Sequence, residues 1–396
     1  MSGRQTRTTK TDYALLLVVV LLIILGLMMV YSATFRWQQD SGVYLRKQIQ
    51  WVALGLVLLV TLSRVDYRIL RQLALPIMGL SFLSLVAVLL VGGRGTAARS
   101  WFGRGSVQPS EFAKLAFVIY IAAWLASKGD KIRDVTYGLI PFAVLLGVVT
   151  GLILLQPDLG TAFLIVATAV SMFFISGAEI SQLFIGLLAG GPALYLVIIN
   201  SEEARERLET FLKLGSDLRG ADFQIANVLS ALRAGGLTGR GLGAGTQKLY
   251  PPFVHHTDTI LSVIGEELGM VGCLLILGLF LFIAYRGLVI SFRAPDTFGT
   301  LLAFGVTCWI VFQAMIHIGG NTATLPFTGI TLPFISYGGS SLTMCLAASG
   351  VLISISREGV ERKLRTSAAF AFGRRNRRPR LSRTRRRAGI AKGSRR

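Results

Sequence analysis

Residues 13–32 read YALLLVVVLLIILGLMMVYS, a run without a single charged side chain. A helix rises about 1.5 Å per residue, so roughly twenty apolar residues cross the ~30 Å hydrocarbon core of a bilayer. Moving outward from this run, the same pattern recurs near 51–63, 75–91, 109–126, 137–155, 161–175, 182–199, 259–284, 301–318 and 342–355. The 396-residue chain is 53% hydrophobic and only 15% charged, which excludes an ordinary soluble protein. Backbone facing lipid must satisfy its own hydrogen bonds, so the spans are helices. The expected fold is all-α: a polytopic membrane protein of about ten transmembrane helices. A long outward loop, 200–258, separates spans seven and eight, and its early part, 202–214, has the charge density of an amphipathic surface helix. No small-residue cleavage site follows the first run, so it reads as a retained helix.

Charge sets the expected topology. The net charge is +21, but 16 of the 41 Lys and Arg lie from Arg357 onward. Ten spans put both termini on one side, with the basic turns 64–71, 128–133 and 286–293. The positive-inside rule makes that side cytoplasmic. The chain then divides into a cytoplasmic arm (1–12), a membrane domain (13–356) and a basic, disordered cytoplasmic tail (357–396). Nucleic acid is a conceivable partner for the tail; anionic lipid is the simpler one, at about 1 kcal/mol per basic residue near the surface. Loops 33–50, 92–108, 156–160, 200–258 and 319–341 face outward.

The chemistry-bearing residues fall in those outward segments. Residues 235–245 hold six glycines in eleven positions. That density belongs to a loop that turns tightly and approaches something closely. It matches neither the P-loop nor the dinucleotide fingerprint, and no Ser or Thr follows Lys248, so nucleotide binding is rejected. Its amides remain a candidate anion-holding concavity, with Lys248 adding charge. Asp258, at the mouth of span eight, is either a general base or a helix cap. His255 and His256 are competing bases or surface histidines; being adjacent, they do not suggest zinc. Glu266 and Glu267 lie two to three turns into span eight and need a polar interior, either to bind a cation or to hold a neighbouring helix. Asp158 shares that ambiguity.

Pro109 suits the first position of a helix and Glu111 its positive end. Glu111 and Lys114 share a face of that helix, as a structural ion pair or as a cationic site for an anionic head group. Arg99, Trp101 and Arg104 read equally as an interfacial belt or as a diphosphate site. Cys273, Cys308 and Cys345 lie in apolar runs without metal-ligand spacing and read as core residues.

Five motifs occur in order: RSWFGRGSVQPSEFAK (99–114), LLQPDLGTA (154–162), GGLTGRGLGAGTQK (235–248), HTDTILSVIGEELGMVG (256–272) and LPFTGITLPFISYGGSSL (325–342). On these the chain resembles the FtsW/RodA/SpoVE family, the shape, elongation, division and sporulation proteins. The phrase TGITLPFISYGGSSL and the Gln247-Lys248 pair look more like its FtsW branch.

The resemblance implies a peptidoglycan glycosyltransferase that polymerises lipid II at the outer face of the bacterial cytoplasmic membrane. It implies a class B penicillin-binding protein as partner, alongside other membrane proteins of the division or elongation complex. The family's essential carboxylate falls on Asp258. Its Glu and Lys on span four fall on Glu111 and Lys114. The remaining candidate substrate contacts are Arg99, Trp101, Gln108, Ser110, Lys248, His256, Glu267 and Ser340. A base for the acceptor hydroxyl and cations for the leaving diphosphate suit an inverting displacement, with or without a divalent cation, Mg or Mn. A lipid II flippase using the same intramembrane charges, and a non-catalytic divisome scaffold, are the rival expectations.

Overall fold

The computed structural model describes residues 12–34, 41–91, 100–102, 107–213, 223–246 and 257–375. Thirteen α-helices occur among them: α1 (Tyr13–Thr34), α2 (Ser41–Arg64), α3 (Arg68–Gln72), α4 (Ala74–Val91), α5 (Pro109–Lys128), α6 (Ile140–Leu154), α7 (Leu159–Ile175), α8 (Ile180–Asn200), α9 (Glu202–Lys213), α10 (Phe223–Gly235), α11 (Ile260–Arg293), α12 (Thr297–Asn321) and α13 (Gly339–Arg375). The described residues contain no β-strand, only one isolated bridge between Phe102 and Val107. Nine of these helical segments are long and apolar enough to cross a membrane, and α7, with 17 residues, is shorter. The chain is therefore a helical, polytopic membrane protein by length and composition.

Polar contacts between distant segments gather at the ends of the helices. At one end Arg68 reaches Asp296 and Glu358, Tyr67 donates to Asp296, Arg286 pairs with Asp12, and Arg357 donates to the Arg64 carbonyl. The basic turns at 64–71 and 286–293 thus share one end, as their charge pattern suggested. Asp296 also caps α12 by accepting from the Gly299 amide. Hydrogen bonds from Tyr67, Gly299 and Arg68 favour its ionised form and outweigh the burial that opposes it, so its carboxyl lies below the ordinary range. The interior is built by α5, α12 and α13, whereas α8 lies almost wholly at the periphery.

Two boundaries differ from the sequence expectation. Helix α2 begins at Ser41, ten residues before the apolar run, and takes Arg46 and Lys47 into its first two turns. Long cationic side chains at a helix end reach polar surroundings without breaking the helix. Helix α13 continues to Arg375, beyond the expected start of the tail at Arg357; residues 376–396 lie outside the described residues. Segment 200–258 is also not a plain loop. It contains α9, the amphipathic helix expected near 202–214, and α10, which packs along α11.

The glycine run lies against a break in α11. Gly269 has φ 68° and ψ −166°, outside helical geometry. A break frees carbonyls before it and amides after it, and these need partners in an apolar setting. The run supplies them. Arg240 and Gly241 amides donate to the Glu266 and Glu267 carbonyls, and the Met270 and Val271 amides donate to the Gly236 and Leu237 carbonyls.

Candidate functional site

The same run holds the two glutamate side chains. Glu266 Oε1 accepts from the Thr246 amide at 2.7 Å, from Thr246 Oγ1 at 2.9 Å and from Arg240 Nη1 at 3.4 Å. Glu267 Oε2 accepts from the Gly243 amide at 3.0 Å, and both Glu267 oxygens accept from Ser32 Oγ on α1. The amides do form an anion-holding concavity, but the anions are the protein's own carboxylates. Both glutamates are almost fully buried and neither lines the cavity described next. Of the two expectations for this pair, the geometry matches the one in which they hold α11 to its neighbours. It gives Glu267 no contact with the cavity.

That cavity, about 370 Å³, opens at the other polar end of the bundle. Its wall draws on segments 100–101, 108–111, 156–161, 257–258 and 328–341, from four of the five sequence motifs. Tertiary folding thus brings together segments more than two hundred residues apart. Among the expected site residues, Trp101, Gln108, Glu111, Asp258 and Ser340 line it. Asp158 also lines it. Asp158 caps α7 through the Thr161 amide and accepts from Gln108 Nε2 and Ser110 Oγ at 3.2 and 3.1 Å. Ser110 therefore acts one step behind the wall. Ser340 Oγ accepts from the Gln108 amide at 3.1 Å, which ties the last motif to the start of α5.

Asp258 does not cap α11. The cap position is Thr259, with no side-chain cap bond. Its backbone is held instead: Asn321 Nδ2 donates to the Asp258 carbonyl at 3.1 Å. Burial pushes the Asp258 carboxyl up to about 6, opposed by the Thr257 hydrogen bond and the Arg207 charge and helped by Asp158. A carboxyl poised there can take a proton near neutral pH.

Lys114 differs from its expectation as a head-group contact. Its side chain is 1% exposed and does not line the cavity. Its ammonium lies 2.7 Å from Glu111 Oε2, 2.9 Å from Gln313 Oε1 and 5.5 Å from the centre of the Trp309 ring. Gln313 in turn donates to the Thr331 carbonyl and to Ser341 Oγ, residues of the cavity wall. Lys114 is the buried counter-charge of Glu111, because a lone carboxylate at that depth would be too costly. The pair is the structural ion pair weighed from the sequence, with Glu111 facing the cavity.

Arg99, Lys248, His255 and His256 lie outside the described residues. One residue the sequence reading missed is Arg207 on α9, which lines the cavity and donates to the Thr328 carbonyl at 2.9 Å. Its only sequence signal was membership of a charge-rich amphipathic helix. For the expected Mg or Mn, the described residues contain no group of three or more His, Cys, Asp and Glu able to hold a metal. Asp158 already accepts from three protein donors. Among the described residues, these side chains do not make a ligand set.

The family described as "Cell cycle protein", FtsW/RodA/SpoVE, matches residues 13–361. The chain belongs to this family. Within the FtsW/RodA/SpoVE family, stage V sporulation protein E of Bacillus subtilis (strain 168) is 39% identical over 364 residues, covering 89% of this chain and 98% of that protein. The probable peptidoglycan glycosyltransferase FtsW of Trichlorobacter lovleyi is 37% identical, covering 88% and 94%. Among solved structures, the rod shape determining protein RodA of Thermus thermophilus aligns with TM-score 0.66 at 30% identity over 90% of this chain and 99% of that one. A chain from a structure titled for the coordination of polymerization and crosslinking by a peptidoglycan synthase complex aligns with TM-score 0.73, also at 30% identity, over 88% and 98%.

Proposed function

We propose that this chain is a peptidoglycan glycosyltransferase that polymerises lipid II into glycan strands. The reaction is an inverting single displacement. Asp258 takes the proton of the acceptor hydroxyl, the freed oxygen attacks the anomeric carbon, and the lipid-linked diphosphate departs. The observation that carries this reading is a carboxyl, pushed up to about 6 by burial, facing a cavity built from four family motifs. The relatives named peptidoglycan glycosyltransferase support the reaction class.

The cavity end faces the outside of the bacterial cytoplasmic membrane and both termini are cytoplasmic, on the positive-inside argument. The match to a chain of a polymerising and crosslinking complex supports a class B penicillin-binding protein as partner, within the division or elongation assembly. The basic tail adheres to anionic lipid of the inner leaflet.

The experiment is glycan-strand formation from labelled lipid II by the detergent-purified chain with its transpeptidase partner, with and without Asp258→Asn. Polymer from the wild type that vanishes in the variant is the expected result. Polymer from both would discard Asp258 as the base. No polymer from a folded complex would favour transport or scaffolding, since detergent leaves nothing to translocate across.

A further inference from the structure

Among the described residues, the charged side chains lining the cavity are three carboxylates, Glu111, Asp158 and Asp258, and one guanidinium, Arg207. The reaction proposed above ends with negative charge on a diphosphate oxygen. Glu111 has Lys114 beneath it, but that ammonium is buried and spent on Glu111 and Gln313. Lys114 therefore does not reach a ligand in the cavity, and among the described residues Arg207 is the one cation facing the three carboxylates of the wall.

The position of Arg207 fits that need. One guanidinium nitrogen donates to the Thr328 carbonyl, which fixes the side chain against the wall. The other terminal nitrogen lies beside Gly329. A β-carbon placed on Gly329 would lie 3.9 Å from Arg207 Nη2 and 3.7 Å from Asp258 Oδ2. The base and the guanidinium therefore flank the same backbone position, which has no side chain to separate them. Gly329 has φ +71°, a conformation that excludes most other residues, so this opening is built into the turn. A planar guanidinium also suits bidentate contact with phosphate oxygens.

Resting on the glycosyltransferase reading, we propose that Arg207 is a catalytic residue whose guanidinium binds the diphosphate of the lipid-linked donor beside Asp258. The acceptor O–H bond breaks and its proton goes to Asp258. The new bond forms between that oxygen and the anomeric carbon. The bond from that carbon to the diphosphate oxygen breaks, its electron pair leaves with the diphosphate, and Arg207 holds the resulting charge. Arg207 also opposes protonation of Asp258; the other described charged groups facing Asp258 are Asp158 and, across the cavity, Glu111.

The test uses the purified chain with its partner and labelled lipid II, comparing wild type, Arg207→Gln, Arg207→Lys and Asp258→Asn. Arg207→Gln removes the charge, and Arg207→Lys keeps it. The expected result is a fall in kcat of about a hundredfold for Arg207→Gln, on the scale of losing one group that stabilises developing negative charge. Arg207→Lys should recover at least part of it. The acid limb of the Arg207→Gln pH profile should also move to higher pH, because losing the cation makes Asp258 hold its proton more tightly. An Arg207→Gln variant near wild-type rate, or one whose acid limb is unmoved, would overturn the proposal. So would a folded Arg207→Lys variant as inactive as Arg207→Gln. If Arg207→Gln does not fold, Arg207→Lys decides: partial activity supports a charge role, and full loss in the folded variant overturns it. Failure is distinguishable from failure of the underlying reading. In the first case wild type polymerises, Asp258→Asn does not, and Arg207→Gln is unimpaired. In the second, folded wild type makes no polymer and both fall.

Discussion

A β-carbon placed on Gly239 would stand 2.2 Å from the carbonyl oxygen of Glu267. That is closer than any side chain permits, so the loop can seat against the broken helix only with glycine there. The backbone at Gly239 also has φ +80°. Gly239→Ala is therefore expected to destabilise the protein by more than the roughly 1–2 kcal/mol of left-handed strain alone. Gly241 has φ +98° but open space around it, so Gly241→Ala should show only the strain. Thermal unfolding of the two variants in one detergent checks the difference; equal shifts would contradict the close approach.

Glu267 was a candidate substrate contact, and its geometry points elsewhere. Both of its oxygens accept from Ser32 and one accepts from the Gly243 amide. Glu267→Gln should lower stability by about 1–3 kcal/mol, the scale of leaving buried groups mispaired. The KM for lipid II should stay within about twofold, because the side chain does not line the cavity. A KM rise with unchanged melting would restore the substrate role.

Lys114→Met leaves Glu111 as a buried carboxylate without its partner. The expected loss is about 3–5 kcal/mol. Adding Glu111→Gln should recover a large part of the stability but not the activity, since Glu111 lines the cavity. A double-mutant cycle on melting temperature, run beside a polymerisation assay, separates the two effects. Additive losses would mean the 2.7 Å pair carries no coupling.

The Asp258 carboxyl titrates near 6, so polymerisation should fall as pH drops through that value. Stability runs the other way. Its folded proton affinity is raised above the ordinary value of 3.8, so protonation favours the folded state at low pH and that contribution is lost as pH rises through about 6. Asp258→Asn should therefore melt higher than wild type at pH 8, with the gap closing toward pH 4. An unchanged gap across that range would count against a buried, perturbed carboxyl.

The sequence alone determined that this is a bundle of apolar helices. Hydrophobic runs such as 13–32 declare a membrane span without any long-range information, because bilayer thickness sets their length. Local chemistry also placed Pro109 at the first position of α5 and an amphipathic helix near Glu202–Lys213. The motifs pointed to Asp258, and the sequence could state that the glycine run must approach something closely.

What it approached was decided by tertiary structure. The run seats on Glu266 and Glu267 at the break in α11, a partner that glycine spacing cannot specify. Lys114 looked like a head-group contact because sequence does not report depth; packing against Trp309 and Gln313 buries it beneath the cavity. Arg207 was invisible for the opposite reason. One arginine on a charged helix resembles its neighbours until the fold carries α9 over Gly329 and sets its guanidinium beside Asp258. Helix and span are written in local periodicity, whereas a cavity wall gathered from distant segments exists only once those segments have packed together.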